Sequence, residues 1–234
     1  MFTPFADHDH SDGQLGRIFF HGNPWPAGHV ITEFAWTAEL RPESGLWFHL
    51  HLRTADYDAE SPGLSTDEDD WRSAETWTNY RNCTLSSTYW SEYPGFLVSG
   101  FDQPTPLAEL PGRTWIVDPD PGRVGSFEPA IGLYLTGHDS VIDHRITFSA
   151  TDGARLRLEW TGRIALSYAG DDEFRYAFSA RVQPVRLQSI TAPPALPRET
   201  VEQLLADLGY PLGLEHDHGG LQQPGRYLVS PTRS

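Results

Sequence analysis

Lysine is absent from this chain, and all 17 of its basic residues are arginine. Schiff-base catalysis, pyridoxal phosphate attachment and a Walker-type phosphate lysine are thereby excluded. Cysteine is almost as scarce. The single thiol, Cys83, cannot form an internal disulfide, so the fold does not depend on an oxidising compartment. No apolar run reaches the roughly 18 residues that a membrane span needs. The opening MFTPFADHDHSDG lacks a basic segment followed by an apolar one, so no secretory leader is expected and a cytoplasmic location is the default. Neither a Gly-x-Ser-x-Gly elbow nor a Gly-x-Gly-x-x-Gly loop occurs.

What the chain has in excess is acid. Its 32 Asp and Glu residues leave a formal net charge of −15. Such a balance repels phosphate backbones and anionic lipid, which argues against nucleic acid and membrane partners and suits a basic protein partner. At 234 residues with 38% hydrophobic content, a single all-β domain with a substantial core is an ordinary outcome.

The clearest local pattern is GLWFHLHLR, residues 45–53. Strand side chains alternate between faces, so Leu46, Phe48, Leu50 and Leu52 point one way and Trp47, His49, His51 and Arg53 the other. Residues 30–40 alternate too, with Val30, Thr32, Phe34, Trp36, Ala38 and Leu40 opposite Ile31, Glu33, Ala35, Thr37 and Glu39. The intervening RPESG predicts a hairpin. Matching the apolar faces pairs Trp36 with Leu50 and Phe34 with Leu52, which sets Glu33 opposite Arg53 and Ala35 opposite His51. A slip of one residue would bury the wrong set.

Residues 55–75 hold eight carboxylates against Arg72 and read as a long exposed acidic loop with a helical turn near Trp71. Short strands follow over 80–90, 95–101, 113–117, 131–136 and 144–149, with a turn at 137–140. A second hairpin joins 154–168 to 174–182. Leu156, Leu158, Trp160, Ile164 and Leu166 share a face with Phe174, Tyr176, Phe178, Ala180 and Val182, and Gly162 marks a bulge or bend. The reverse face carries Arg155, Arg157, Glu159, Arg163, Arg175 and Arg181, a surface suited to meeting the acidic loop. After the stiff APPALP, residues 198–208 predict the one helix, with a Thr200–Gln203 capping box and Gly209 as its stop. A last strand is expected at 227–230.

These elements predict an all-β fold, a single-domain antiparallel β-sandwich or calycin-like barrel of about ten strands with one C-terminal helix. Residues 1–192 form the β domain, and 193–234 supply linker, helix and tail packed on it. A barrel would turn the polar face of 45–53 inward around a ligand; a sandwich would leave it wet.

Glu33, Trp47, His49, His51 and Arg53 form the first candidate site. Arginine offers bidentate recognition and tryptophan a stacking plane, so a pocket for a small anionic or aromatic molecule is the leading reading, with lyase or hydrolase activity at His49 and His51 as its catalytic extension. The plain alternative is a solvent-facing sheet with a Glu33–Arg53 pair. Two imidazoles about 6.5 Å apart along one strand could share a metal. Strand-borne His-x-His also occurs in cupins, but the spaced Glu and Gly and the third histidine of that motif are not matched. No metal or cofactor is therefore expected.

A second cluster is His138, Asp139, Asp143 and His144, as a metal or general-base group, or simply as turn-capping residues. Glu33 and Glu39 lie about 20 Å apart on a strand, too far for a glycosidase pair. The terminal His-Asp-His tripeptides sit where preorganised catalysis is unfavourable. The functional expectation is small-molecule binding. The alternatives are an acidic, immunity-type inhibitor of a basic partner and carbohydrate binding through exposed aromatics.

Overall fold

The computed structural model describes residues 15–63, 71–78, 81–88, 93–120, 128–151, 155–210, 214–217 and 225–229. Among them are thirteen strands: β1 Gly16–Phe20, β2 His29–Arg41, β3 Gly45–Thr54, β4 Thr84–Ser86, β5 Phe96–Gly100, β6 Thr114–Val117, β7 Gly132–Tyr134, β8 His138–Ala150, β9 Leu156–Ala165, β10 Tyr176–Val185, β11 Ser189–Ala192, β12 Leu214–Asp217 and β13 Gly225–Val229. One α-helix, α1, spans Arg198–Asp207.

Eight of the strands close on themselves. The circuit β1–β2–β3–β4–β7–β8–β9–β10 returns to β1, and every pairing in it is antiparallel. The architecture is a barrel, which settles the choice between barrel and sandwich. The remaining strands flank it: β5 lies on β3, β6 on β8, and β11 runs parallel to β2 and carries β13 and β12.

Hydrophobic alternation sets the wall. Leu46, Phe48, Leu50 and Leu52 are each wholly buried, a stabilisation of about 1.5–3 kcal/mol per side chain. Phe48 and Trp36 both meet Phe148 of β8, on the far side of the circuit, so this face looks into the barrel. The sheet curls toward its greasy side, and the expectation that a barrel would turn the imidazoles inward is overturned. His49 and His51 face outward.

The register of β2 and β3 follows the sequence pattern. Trp36 pairs with Leu50, Phe34 with Leu52, Glu33 with Arg53 and Ala35 with His51. The pattern breaks at the start of β2. An irregularity between Ile31 and Glu33 puts one extra residue on β2, so Ile31 and His29 turn inward, while Thr32 is exposed. The expectation that Thr32 shares the apolar face, with Ile31 behind, fails for that reason.

In the second hairpin Trp160 pairs with Ala180 and Leu158 with Val182, as the shared apolar face predicts. Gly162 faces a bulge in β8, where Asp143 and His144 are accommodated between the Ile142–Arg163 and Arg145–Thr161 pairs. A Cβ on Gly162 would come within 2.6 Å of the Phe178 ring. The predicted turn at 137–140 is shorter than expected, since β8 already begins at His138. In the predicted strand 80–90, only Thr84–Ser86 is strand among the described residues.

Helix α1 and the loops around it close one end of the barrel. Its N-cap is Pro197, with no side-chain cap bond, so the Thr200–Gln203 capping box does not form and Thr200 sits inside the helix. It ends as predicted. Gly209, at φ +82°, lets Gly209 N–H and Tyr210 N–H bond back to the Ala206 and Leu205 carbonyls.

The other end is closed by the connection between β3 and β4. Its carboxylates Asp56, Asp58 and Glu75 are exposed, as expected, while Tyr57, Trp71 and Trp77 of the connection are buried against Phe20, Trp25 and His29. Arg17 of β1 pairs with Glu60 of the loop, whereas the arginines of the second hairpin form ion pairs elsewhere: Arg157 and Arg181 with Glu159, Arg163 with Asp120 and Asp143, and Arg175 with Asp171. The stretch Asp67 to Asp70 lies outside the described residues.

Candidate functional site

On the outer face of β2–β3 the five expected residues share one surface, and two residues beside them reorganise the picture. Glu39 and Arg41, on the same face of β2, form a group with Trp47 and His49. Arg41 forks onto Glu39 Oε2 at 2.6 and 2.8 Å, donates to the Pro94 carbonyl and lies over the Trp47 ring at 4.2 Å. The Trp47 indole N–H donates to Ser44 Oγ. A second group holds His51, Glu33 and Arg53: Arg53 pairs with Glu33 Oε1 at 3.1 Å, and His51 Nε2 lies 3.6 Å from Glu33 Oε2.

Trp47 and Arg53 are six residues apart on one strand, about 20 Å, so the five do not surround a single small ligand. The recognition elements are also engaged with one another. Arg53 is paired with Glu33, and the stacking plane of Trp47 is covered by Arg41.

The imidazoles themselves are largely sheltered, with side-chain exposures of 14% for His49 and 13% for His51. The next strand and the loop after it do this. His49 Nδ1 lies 3.3 Å from the Ser87 carbonyl oxygen, which only accepts, so Nδ1 carries the hydrogen and Nε2 of the neutral ring is the base. That Nε2 sits 3.6 Å from Glu39 Oε2, beyond hydrogen-bond length. His51 Nδ1 meets Ser86 Oγ at 3.0 Å. The His49 ring and the Arg41 fork hold the Glu39 carboxyl down at about 2, against the opposing pull of burial. Burial in turn lowers the His51 pKa.

Gly95 keeps the space beside His49 open. It sits at φ +71°, and a Cβ there would fall 2.4 Å from the Phe48 carbonyl oxygen and 2.9 Å from the His49 ring. Sequence reasoning missed Glu39, Ser86, Ser87 and Gly95. Glu39 was legible, as a carboxylate two strand positions behind Thr37 on the face of Glu33. The serines depend on which strand neighbours β3, and local pattern does not contain that.

The second cluster does not converge. His138 is exposed and stacks edge-on against Tyr134 at 3.7 Å. Asp139 caps its turn, with Oδ2 accepting from Thr136 N–H, Thr136 O–H and Gly137 N–H. Asp143 turns outward, at φ +52°, to bind Arg163 at 2.7 Å, and Asp120 holds the same guanidinium at 2.5 Å.

His144 turns inward and is wholly buried. The Trp160 indole only donates, and it donates to His144 Nδ1 at 3.1 Å. The neutral ring therefore carries its hydrogen on Nε2, which points toward Asp118 Oδ2 at 3.8 Å. Desolvation lowers the His144 pKa to about 3, and burial raises Asp118 to about 6 although the Ala130 and Ile131 amides oppose it. With Nδ1 accepting and Nε2 protonated, His144 offers no free basic nitrogen. It is a core ring in a buried polar contact.

Five of the described tryptophans, Trp25, Trp36, Trp71, Trp77 and Trp160, are buried. With Trp47 under Arg41 and Trp115 edge-on to Phe148, these side chains make no exposed stacking platform for sugars. Among the described residues no group of three or more His, Cys, Asp or Glu side chains is placed to hold a metal ion. No described helix is long and apolar enough to cross a membrane. No known protein family, curated protein or solved structure matches the chain.

Proposed function

We propose that the protein binds a small polar molecule on the outer wall of the barrel, where β2, β3 and β4 present His49 and His51. The observation that carries this reading is the gap between His49 Nε2 and Glu39 Oε2, two polar atoms held 3.6 Å apart, beyond direct hydrogen-bond length, beside the Arg41 fork. A ligand bearing N–H or O–H groups bridges both, so the chemistry favours an amine or a polyol over the anion that the arginines alone suggest. Should turnover accompany binding, Nε2 of His49 is the atom to act as base.

The net charge of −15 supports a second role in attracting a basic protein by long-range steering, with association that weakens steeply as salt rises.

Nitrogen-15 NMR of the imidazoles during titration with polyols and primary amines tests the first reading. Saturable shifts at His49 and His51 are expected, lost in His49→Ala and His51→Ala while folding is retained. Imidazole signals indifferent to every probe would overturn it.

A further inference from the structure

The outer wall holds one arrangement twice. Glu39 Oε2 and His49 Nε2 lie 3.6 Å apart, and Glu33 Oε2 and His51 Nε2 lie at the same distance. Arg41 braces the first carboxylate and Arg53 the second. Both imidazoles are anchored from behind through Nδ1, His49 at the Ser87 carbonyl and His51 at Ser86 Oγ. The repeat follows from the hairpin register. His49 pairs with Thr37 and His51 with Ala35, so each carboxylate stands one outward-facing position beyond the strand partner of its histidine.

The two units face each other along the sheet. On β2 the outward order is Glu33, Ala35, Thr37, Glu39 and Arg41, and on β3 it is Arg53, His51, His49 and Trp47. The imidazoles therefore occupy the middle, with a carboxylate to either side and an arginine beyond each carboxylate. Between the two carboxylates β2 presents only the small side chains of Ala35 and Thr37, which floor a shallow track beside the rings. The arginines do not use up the carboxylates. Arg53 holds Glu33 Oε1, leaving Oε2 toward His51, and both Arg41 bonds fall on Glu39 Oε2, so Glu39 Oε1 takes no bond among the described residues. Side-chain exposures of 38% for Glu39 and 49% for Glu33 keep both within reach of solvent.

The spacing sets the length of what can lie there. His49 and His51 are two strand positions apart, about 6.5 Å. With each carboxylate oxygen a further 3.6 Å from its ring, the two carboxylates are separated by about 7–14 Å. A primary ammonium group, with three donors, suits a carboxylate backed by an imidazole nitrogen. A methylene chain suits the Ala35 methyl and the Thr37 side chain between them. Aliphatic amines are cationic at neutral pH, as lysine is, and a net charge of −15 gathers dications in preference to monocations.

We infer, resting on the outer-wall reading, that the ligand is a linear aliphatic diamine. One ammonium group sits at Glu39 and His49, the other at Glu33 and His51, and the chain between them crosses Ala35 and Thr37.

Imidazole and carboxylate NMR of the full chain, titrated at equal ionic strength with hexamethylenediamine, trimethylenediamine and propylamine, decides the matter. Hexamethylenediamine reaches both units, whereas trimethylenediamine carries the same charge on a chain too short to do so. The longer diamine should bind about tenfold or more tightly than either of the others, with the His49 and His51 signals moving together at one-to-one stoichiometry. Glu33→Gln and Glu39→Gln should each reduce it to the affinity of propylamine. Equal saturable binding of all three amines, or binding of polyols alone, would keep the small-molecule site and overturn the two-headed ligand. Two diamines equal to each other and tighter than propylamine would mean attraction by charge without a spanned site, which is equally refuting. Imidazoles indifferent to amines and polyols alike would remove the outer-wall site itself. A length preference that survives both glutamine variants would place the ammonium groups elsewhere and overturn the assignment. Should either variant fail to fold, the length comparison in the wild-type protein still decides.

Discussion

Acid should weaken this fold at a pH well above the carboxylate range, and the size of the loss follows from three buried groups. His29, packed against Trp25, Tyr57 and Trp77, has its pKa lowered to about 4 by desolvation and by Arg17; His144 is lowered to about 3. For a histidine depressed in the folded state, stability is fully present above the unfolded value near 6.5 and is lost as pH falls toward the folded value. Between pH 7 and pH 5 the linkage integral gives about 2 kcal/mol lost for each ring. Asp118 works the other way. Raised to about 6, it penalises the folded state above that pH and relieves it on acidification, returning about 1 kcal/mol over the same interval. The net loss expected is therefore about 3 kcal/mol.

Urea unfolding at pH 7, 6 and 5 measures it. Asp118→Asn keeps an acceptor for the Ala130 amide and tolerates the left-handed backbone at φ +50°, so it should fold. That variant should steepen the loss to about 4 kcal/mol by removing the compensating titration. His29→Phe should flatten it by about 2 kcal/mol. A midpoint unchanged between pH 7 and 5, with both variants superimposing on wild type, would refute the claim that these rings are buried neutral.

Three further outcomes are expected. Trp160→Phe removes the indole donor to His144 Nδ1 and should cost about 1–3 kcal/mol while moving the His144 titration toward its ordinary range, as read from urea midpoints and imidazole NMR. Gly95→Ala places a methyl against the Phe48 carbonyl and the His49 ring at a left-handed backbone position; it should lose at least about 1 kcal/mol in thermal unfolding and displace the His49 signals without moving those of His29. Arg41→Ala should change stability by no more than about 1 kcal/mol, since the pair is partly exposed, yet raise the Glu39 pKa in carboxylate-detected NMR and change Trp47 emission by uncovering its ring.

How far the sequence reached depended on whether the controlling contact was local. The β2–β3 register could be read residue by residue, because a hairpin with one apolar face admits a single alignment and a slip would expose Leu50 and Leu52. The same logic failed three residues earlier, at Ile31. A bulge inserts a residue without leaving any mark in the alternation, and only barrel closure by β1 requires His29 to look inward. At Asp143 and His144 the chain again hides a bulge, which sends one member of an adjacent pair to solvent and the other into the core. A cluster that looks convergent in sequence is divided by the wall.

The buried rings of the β3–β4 connection were obscured by composition. Eight carboxylates in residues 55–75 describe a solvated loop, and the acid-rich count hid the residues that decide its fate. Three aromatic side chains, Tyr57, Trp71 and Trp77, are spaced along that loop or just beyond it, and burying such rings is worth more than keeping a short acidic stretch extended. The orientation of the histidine face has the same origin. With Trp36, Phe48, Phe148, Trp160 and Phe178 occupying the interior, the barrel admits His29 and His144 singly, each against aromatic rings, and the paired imidazoles of β3 look out.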